Sequence, residues 1–305
     1  MGVLSIQADE TALSLFRRCN TVPFSTGISF LDGAGIVAGD VVEVYGPSPS
    51  GKSELLLNVV LQTVLPKEMG GRASRAVCVD LDGNLSVLRI EQMLRERVGA
   101  SACFRAGTMP IPDVALPAEV DPGSPEGRVT SVMLQCMQRI KFVSCQNHLQ
   151  LIAAMEVLHY ESAQEATLVV AIDSLGSLVG KSKLSDSALV LQNAALRATA
   201  RLASERSVVV MAAKPALFAN LGWGQGMGNR SGSKMEHWEY MPSAWQKVVS
   251  HRVMLQRVPD QGEGQGFTLF NACVVQPHEG RAAEALVMSA DPTRWLVSDR
   301  GVHNA

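Results

Sequence analysis

No uninterrupted apolar run in the 305 residues reaches the roughly 20 needed to cross a bilayer, so no membrane contact is expected. The segment Met1-Gly2-Val3-Leu4-Ser5-Ile6-Gln7-Ala8-Asp9-Glu10 lacks the basic stretch of a secretory signal. There is no basic excess either: 27 Lys and Arg stand against 29 Asp and Glu, a net charge of −2. A stand-alone nucleic-acid binder carries a positive surplus, so contact with DNA would have to come from a local loop or be shared with partners. The six cysteines (Cys19, Cys78, Cys103, Cys136, Cys145, Cys273) show no C-x-x-C spacing, which argues for buried, reduced thiols and against a metal site. These absences point to the cytosol or nucleus. The chain is 47% hydrophobic, enough to bury the core of one large α/β domain.

The strongest positive signal is Asp40-Val41-Val42-Glu43-Val44-Tyr45-Gly46-Pro47-Ser48-Pro49-Ser50-Gly51-Lys52-Ser53, followed by Glu54-Leu55-Leu56-Leu57. A β-branched strand runs into a glycine-bounded loop ending Gly-Lys-Ser, and a helix opens behind it. That is the context in which G-x-x-x-x-G-K-S means a phosphate loop. Glycines let the backbone wrap an anion, and the helix start supplies aligned N–H donors. Residues Gly46, Pro47, Ser48, Pro49, Ser50, Gly51, Lys52, Ser53 and Glu54 are therefore the candidate nucleotide cradle. Within it, Lys52 reaches the outer phosphates and the Ser53 hydroxyl binds Mg2+.

Further strands are expected at Ala76–Asp80, Ile140–Cys145, Thr167–Asp173 and Val208–Ala212, with helices at Glu54–Leu65, Leu85–Val98, Leu149–Tyr160 and Leu189–Ser204. Apolar strands alternating with helices specify a largely parallel sheet covered on both faces. Strand-like runs at His251–Arg257, Phe267–Val275 and Ala285–Ser289 are spaced like an antiparallel extension at one edge. Residues 106–128, rich in Pro and Gly, read as an exposed insertion with little order. Residues 1–20 form a short lead-in, and 21–305 a single domain.

Asp173 ends an apolar strand, where ligands gather in open α/β sheets. It is placed to hold the magnesium beside Ser53, or else to cap the following turn through Ser174. Asp80 and Asp82 end the second strand in the same way. One of them would orient an attacking water, or the stretch Asp82-Gly83-Asn84 is an Asx-turn.

Phe24-Ser25-Thr26-Gly27-Ile28-Ser29-Phe30-Leu31-Asp32, Gly39-Asp40, the phosphate loop, Leu65-Pro66, Gly70-Gly71 and Val79-Asp80-Leu81-Asp82-Gly83 occur in the order of the RecA-type recombinase ATPases. With Ala244-Trp245-Gln246-Lys247-Val248-Val249-Ser250-His251-Arg252, the chain resembles the eukaryotic DNA-repair paralogue branch of that family over roughly residues 24–290, leaving out 106–128. The resemblance implies a RecA-like P-loop ATPase core binding ATP and Mg2+, with Lys52 and Ser53 as phosphate and magnesium residues and Asp173 as the second metal-linked carboxylate. The family's water-activating glutamate falls at Asp82, one methylene shorter. A retraction of about an ångström can cost about a hundredfold in rate. Its phosphate-sensing glutamine falls at Pro215, which has neither an amide side chain nor an N–H. Pro49 removes one more N–H donor from the loop. These departures weaken hydrolysis more than binding.

Asn220–Lys234 occupies the place of the family's DNA-binding loop, with glycines, Trp223 and the cations Arg230 and Lys234 suited to weak contact with single-stranded or branched DNA; a plain connector is the alternative. Lys181 and Lys183 add slight support, and Lys214 reads as a solvated loop lysine. His148, His159, His237 and His251 show no metal-ligand pairing. The expectation is a nuclear, ATP-binding recombination paralogue with at most slow hydrolysis, working beside other paralogue subunits in repair of DNA double-strand breaks. Its alternatives are a DNA-stimulated ATPase that exchanges strands and a scaffold whose cradle binds nothing.

Overall fold

The computed structural model describes residues 23–164, 167–181, 186–218, 237–257, 268–275, 293–298 and 301–304. Its centre is a sheet in which the continuous apolar runs lie inside, as strands buried on both faces must. Strands β1 (Val41–Gly46), β2 (Arg75–Asp80), β3 (Ile140–Ser144), β4 (Thr167–Asp173), β5 (Val209–Pro215) and β8 (His251–Arg257) run parallel in the order β8-β1-β5-β4-β2-β3. Beyond β8 the sheet continues antiparallel through β9 (Thr268–Val275), β10 (Thr293–Ser298) and β11 (Gly301–Asn304). A separate two-stranded ribbon pairs β6 (Leu217–Phe218) with β7 (His237–Trp238).

Alternate residues of each strand face opposite layers. Val42, Val44, Cys78, Ala171 and Met211 pack with helices α2 (Lys52–Val64), α3 (Val87–Ala100) and α5 (Pro125–Gln138). Their neighbours Val41, Val77, Val79, Ile172 and Val210 pack with α6 (His148–Gln164), α8 (Asp186–Arg206) and α9 (Ser243–Val248). No helix among the described residues is long and apolar enough to cross a membrane.

The expected α/β architecture is therefore what the chain adopts, with three corrections. His251–Arg257 belongs to the parallel part of the sheet, because it hydrogen-bonds to β1 in register with Val42–Tyr45; the antiparallel part starts one strand later. Pro125 opens a 14-residue helix rather than closing a disordered insertion. Ser124 caps it by accepting from the Gly127 N–H at 2.9 Å, and proline suits the first helical turn because its missing N–H would have had no partner there. The preceding loop is pinned to the core by Phe104, on a short helix α4 (Ala102–Arg105), and by Met109. Third, β5 runs on to Pro215, three residues past its expected end at Ala212. The readings of residues 1–20, Lys183, 220–234 and 285–289 lie outside the described residues.

Candidate functional site

The site is built where β1 stops. Gly46 is the last residue of β1, and a Cβ there would lie 2.2 Å from the Leu255 carbonyl and 2.6 Å from Ser50 Oγ, so only glycine fits. Gly51 turns the chain into α2 with φ of 77°, a left-handed conformation that favours glycine. Its carbonyl accepts the Leu55 N–H, leaving the amides of Lys52, Ser53 and Glu54 unpaired along the helix axis. Pro47 and Pro49 bring no N–H to the loop, and Ser48 and Pro49 sit exposed at its rim. Lys52 folds back so that its Nζ donates to the Gly46 and Pro47 carbonyls (3.0 and 3.1 Å) and to Ser50 Oγ at 3.1 Å.

Ser53 Oγ donates to Asp173 Oδ2 at 2.5 Å, so the first turn of α2 meets the end of β4. Asp173 is only 4% exposed. Burial pushes its carboxyl above the usual 3.8; the Ser53 hydrogen bond and the Lys52 ammonium oppose this, while Asp82 and Asp80 reinforce it. Burial likewise lowers the Lys52 ammonium from 10.5, against the pull of Asp173. A buried carboxylate beside a hydroxyl and a lysine is an unfinished electrostatic arrangement. Mg2+ with a triphosphate would fit it: the cation would relieve the carboxylate, and the anion would take Lys52 and the loop amides. Among the described residues no group of three or more His, Cys, Asp or Glu could hold a metal by itself, so phosphate oxygens would complete the coordination.

Other candidate residues fall differently. Glu54 directs its carboxylate away from the loop into a two-point pair with Arg89 (2.9 and 3.0 Å), so only its backbone N–H is left for the cradle. The turn after β2 belongs to Asp80, whose carboxylate accepts the N–H groups of Asp82, Gly83, Asn84 and Leu85 at 2.8 to 3.4 Å. Asp82 is exposed, and its charge is felt at Asp173. His159 lies against Glu205 and Arg206, and His251 Nε2 against the Ala34 carbonyl.

Lys214 overturns the expectation of a solvated lysine. It is 1% exposed, and its ammonium meets Glu43 at 3.0 Å and both oxygens of Glu239 at 2.7 Å. Arg252 lies 3.4 Å from each of the same two glutamates. Trp245 Nε1–H donates to Glu43 Oε2 at 2.8 Å. Two cations and two carboxylates thus form a neutral buried quartet below the phosphate loop, with Lys214 in register with Tyr45 and Glu43 on the same strand. Unpaired, each would cost several kcal/mol of desolvation. The sequence carried a signal that was missed: a glutamate inside the apolar run Val41-Val42-Glu43-Val44 has to be paired. The quartet also accounts for Trp245 and Arg252 of the Ala244–Arg252 segment, since both side chains converge on Glu43.

The chain is 26% identical over 302 residues to the DNA repair protein XRCC2 homolog of Arabidopsis thaliana, covering 84% of this chain and 79% of that protein. It is 25% identical over 252 residues to the DNA repair protein XRCC2 of Mus musculus, covering 79% and 80%. A shorter stretch is 35% identical over 65 residues to the DNA repair protein RAD57 of Saccharomyces cerevisiae, 21% of this chain and 14% of that one. The family model described as AAA domain matches residues 31–214, from ahead of β1 to Lys214 in β5. With its phosphate loop, parallel sheet and flanking helices, the chain belongs to the AAA domain family, in the RecA-like form shared with these DNA-repair relatives.

Proposed function

We propose that this chain is a RecA-type recombinase paralogue of homologous-recombination repair, binding MgATP in the nucleus as one subunit of a paralogue complex that assists the strand-exchange recombinase. The meeting of Lys52, Ser53 and Asp173 at the end of β1 and β4 carries the reading. Lys52 and the loop amides would hold the phosphates; Ser53 and Asp173 would hold the magnesium, which would supply charge neutralisation. The relatives named as DNA repair proteins support the pathway. Near-neutral charge supports shared rather than solitary DNA contact.

The hydrolytic set is the weaker half. Asp80 is occupied by four backbone N–H groups, Asp82 is exposed and short, and Pro215 has no donor to offer a γ-phosphate. Binding with slow turnover follows. The test is to purify the chain from nuclear extract and identify what accompanies it stoichiometrically, then ask whether cells lacking it become sensitive to double-strand breaks and are rescued by wild type. Recovery of RecA-type subunits together with rescue supports the reading. A chain that purifies alone and whose loss leaves break repair intact contradicts it.

A further inference from the structure

The quartet below the loop also reaches the magnesium end of the site by a second route. Glu239 takes both Lys214 contacts and accepts the Met241 N–H at 2.8 Å, so residues 239–241 are bound to the end of β5. Tyr240 OH donates to the Pro215 carbonyl at 3.0 Å, and the Tyr240 ring lies over the Lys214 ammonium at 5.3 Å. Pro215 in turn lies on Gly176, in helix α7 (Leu175–Lys181). A Cβ at Gly176 would sit 2.2 Å from Pro215 Cδ and 3.1 Å from the Tyr240 hydroxyl, so the helix and this pair are in direct contact. Residue 176 is three past Asp173, and Ser177 Oγ closes the intervening turn on the Ser174 carbonyl at 2.9 Å.

We propose that Lys214 and Glu239 are positioning residues for the candidate site. Their contact holds residues 239–241 on Pro215 and Pro215 on Gly176, fixing the start of α7 behind Asp173, so that magnesium–nucleotide affinity depends on two side chains that touch no ligand. Partners one shell out from a metal ligand set its orientation, and losing them costs about tenfold or more in metal affinity. The same strand end also adjoins the loop, since Pro215 pairs with Gly46 and the Ala216 N–H donates to the Gly46 carbonyl at 3.0 Å, but the route through Gly176 reaches only the Asp173 side. The inference rests on the reading of Ser53 and Asp173 as a magnesium site.

The test uses the charge-balanced double variant Lys214→Met with Glu239→Gln, which leaves Glu43 and Arg252 as a neutral pair and keeps an acceptor for the Met241 N–H. Hydrogen–deuterium exchange without ligand is expected to rise about tenfold together at residues 174–178 and 239–242. Affinity for a fluorescent ATP analogue is expected to fall about tenfold with Mg2+ and by clearly less without it. The milder Tyr240→Phe, which removes only the hydroxyl on Pro215, should move both readouts the same way by about threefold and serves if the double variant does not fold. Faster exchange confined to 239–242, or equal loss of affinity with and without Mg2+, overturns the proposal. If wild type binds no nucleotide at all, the functional reading falls, and the exchange at 174–178 alone decides whether the latch exists.

Discussion

The Ser53 hydroxyl donates to Asp173 Oδ2 across 2.5 Å, joining two residues 120 apart in sequence and tying the first turn of α2 to the end of β4. Burial, opposed by this contact, governs how Asp173 responds to pH in the ligand-free protein. Burial holds the Asp173 carboxyl above 3.8, so the native chain takes up this proton more readily than the unfolded one. Stability from this group is greatest below the unfolded value and is lost as pH rises through the raised native one. Asp173→Asn should therefore raise the unfolding midpoint at neutral pH and flatten that limb of the profile. Thermal unfolding across the acid range measures it; an unchanged or lower midpoint at neutral pH contradicts the assignment.

Glu239 works with the opposite sign. Burial raises its carboxyl, but the Lys214 charge and hydrogen bond, the Met241 N–H and Arg252 together outweigh it, and the group sits below 4.5. Its contribution is present above pH 4.5 and is lost as pH falls through the depressed native value. Glu239→Gln should lower stability at neutral pH and remove part of the acid-induced loss, read by urea unfolding at a series of pH values.

Trp245→Phe keeps an aromatic ring at the buried position, with a smaller volume, and removes the indole donor to Glu43 Oε2. Leaving a charged acceptor short of a partner in a fully buried position costs about 1–3 kcal/mol. Chemical unfolding should show that loss with an unchanged denaturant slope.

Asp82→Glu combined with Pro215→Gln restores the carboxylate reach and the amide that the RecA-type resemblance places there. ATP turnover should rise well above wild type, up to about a hundredfold if geometry is what was lost. Wild-type turnover already equal to that of an ordinary recombinase contradicts this account of the slow site.

Much of the molecule was legible in its residues, for a physical reason. Parallel strands buried on both faces are nearly continuous apolar runs, so the stretches ending at Gly46, Asp80 and Asp173 stood out, and with them the loop and the carboxylate at their ends. What was missed is non-local or double-edged. Pro125 serves equally as a turn residue and as a first-turn helix residue, and only the packing of α5 decides between them. Lys214 looked like a loop lysine because its two partners, Glu43 and Glu239, come from other parts of the chain. Parallel pairing of β8 with β1 is set by the sheet as a whole, not by the spacing of His251–Arg257.

The most direct measurement of the central claim is a calorimetric titration of the purified chain with ATP, with and without Mg2+, on wild type, Lys52→Ala and Asp173→Ala. Wild type should bind one equivalent, more tightly with the metal. Lys52→Ala should lose at least about tenfold in both conditions, as expected for removing charge-assisted phosphate contacts, and Asp173→Ala should lose only the metal-dependent gain. Equal affinity in all three proteins, or no binding to wild type, would contradict a triphosphate site at Lys52, Ser53 and Asp173.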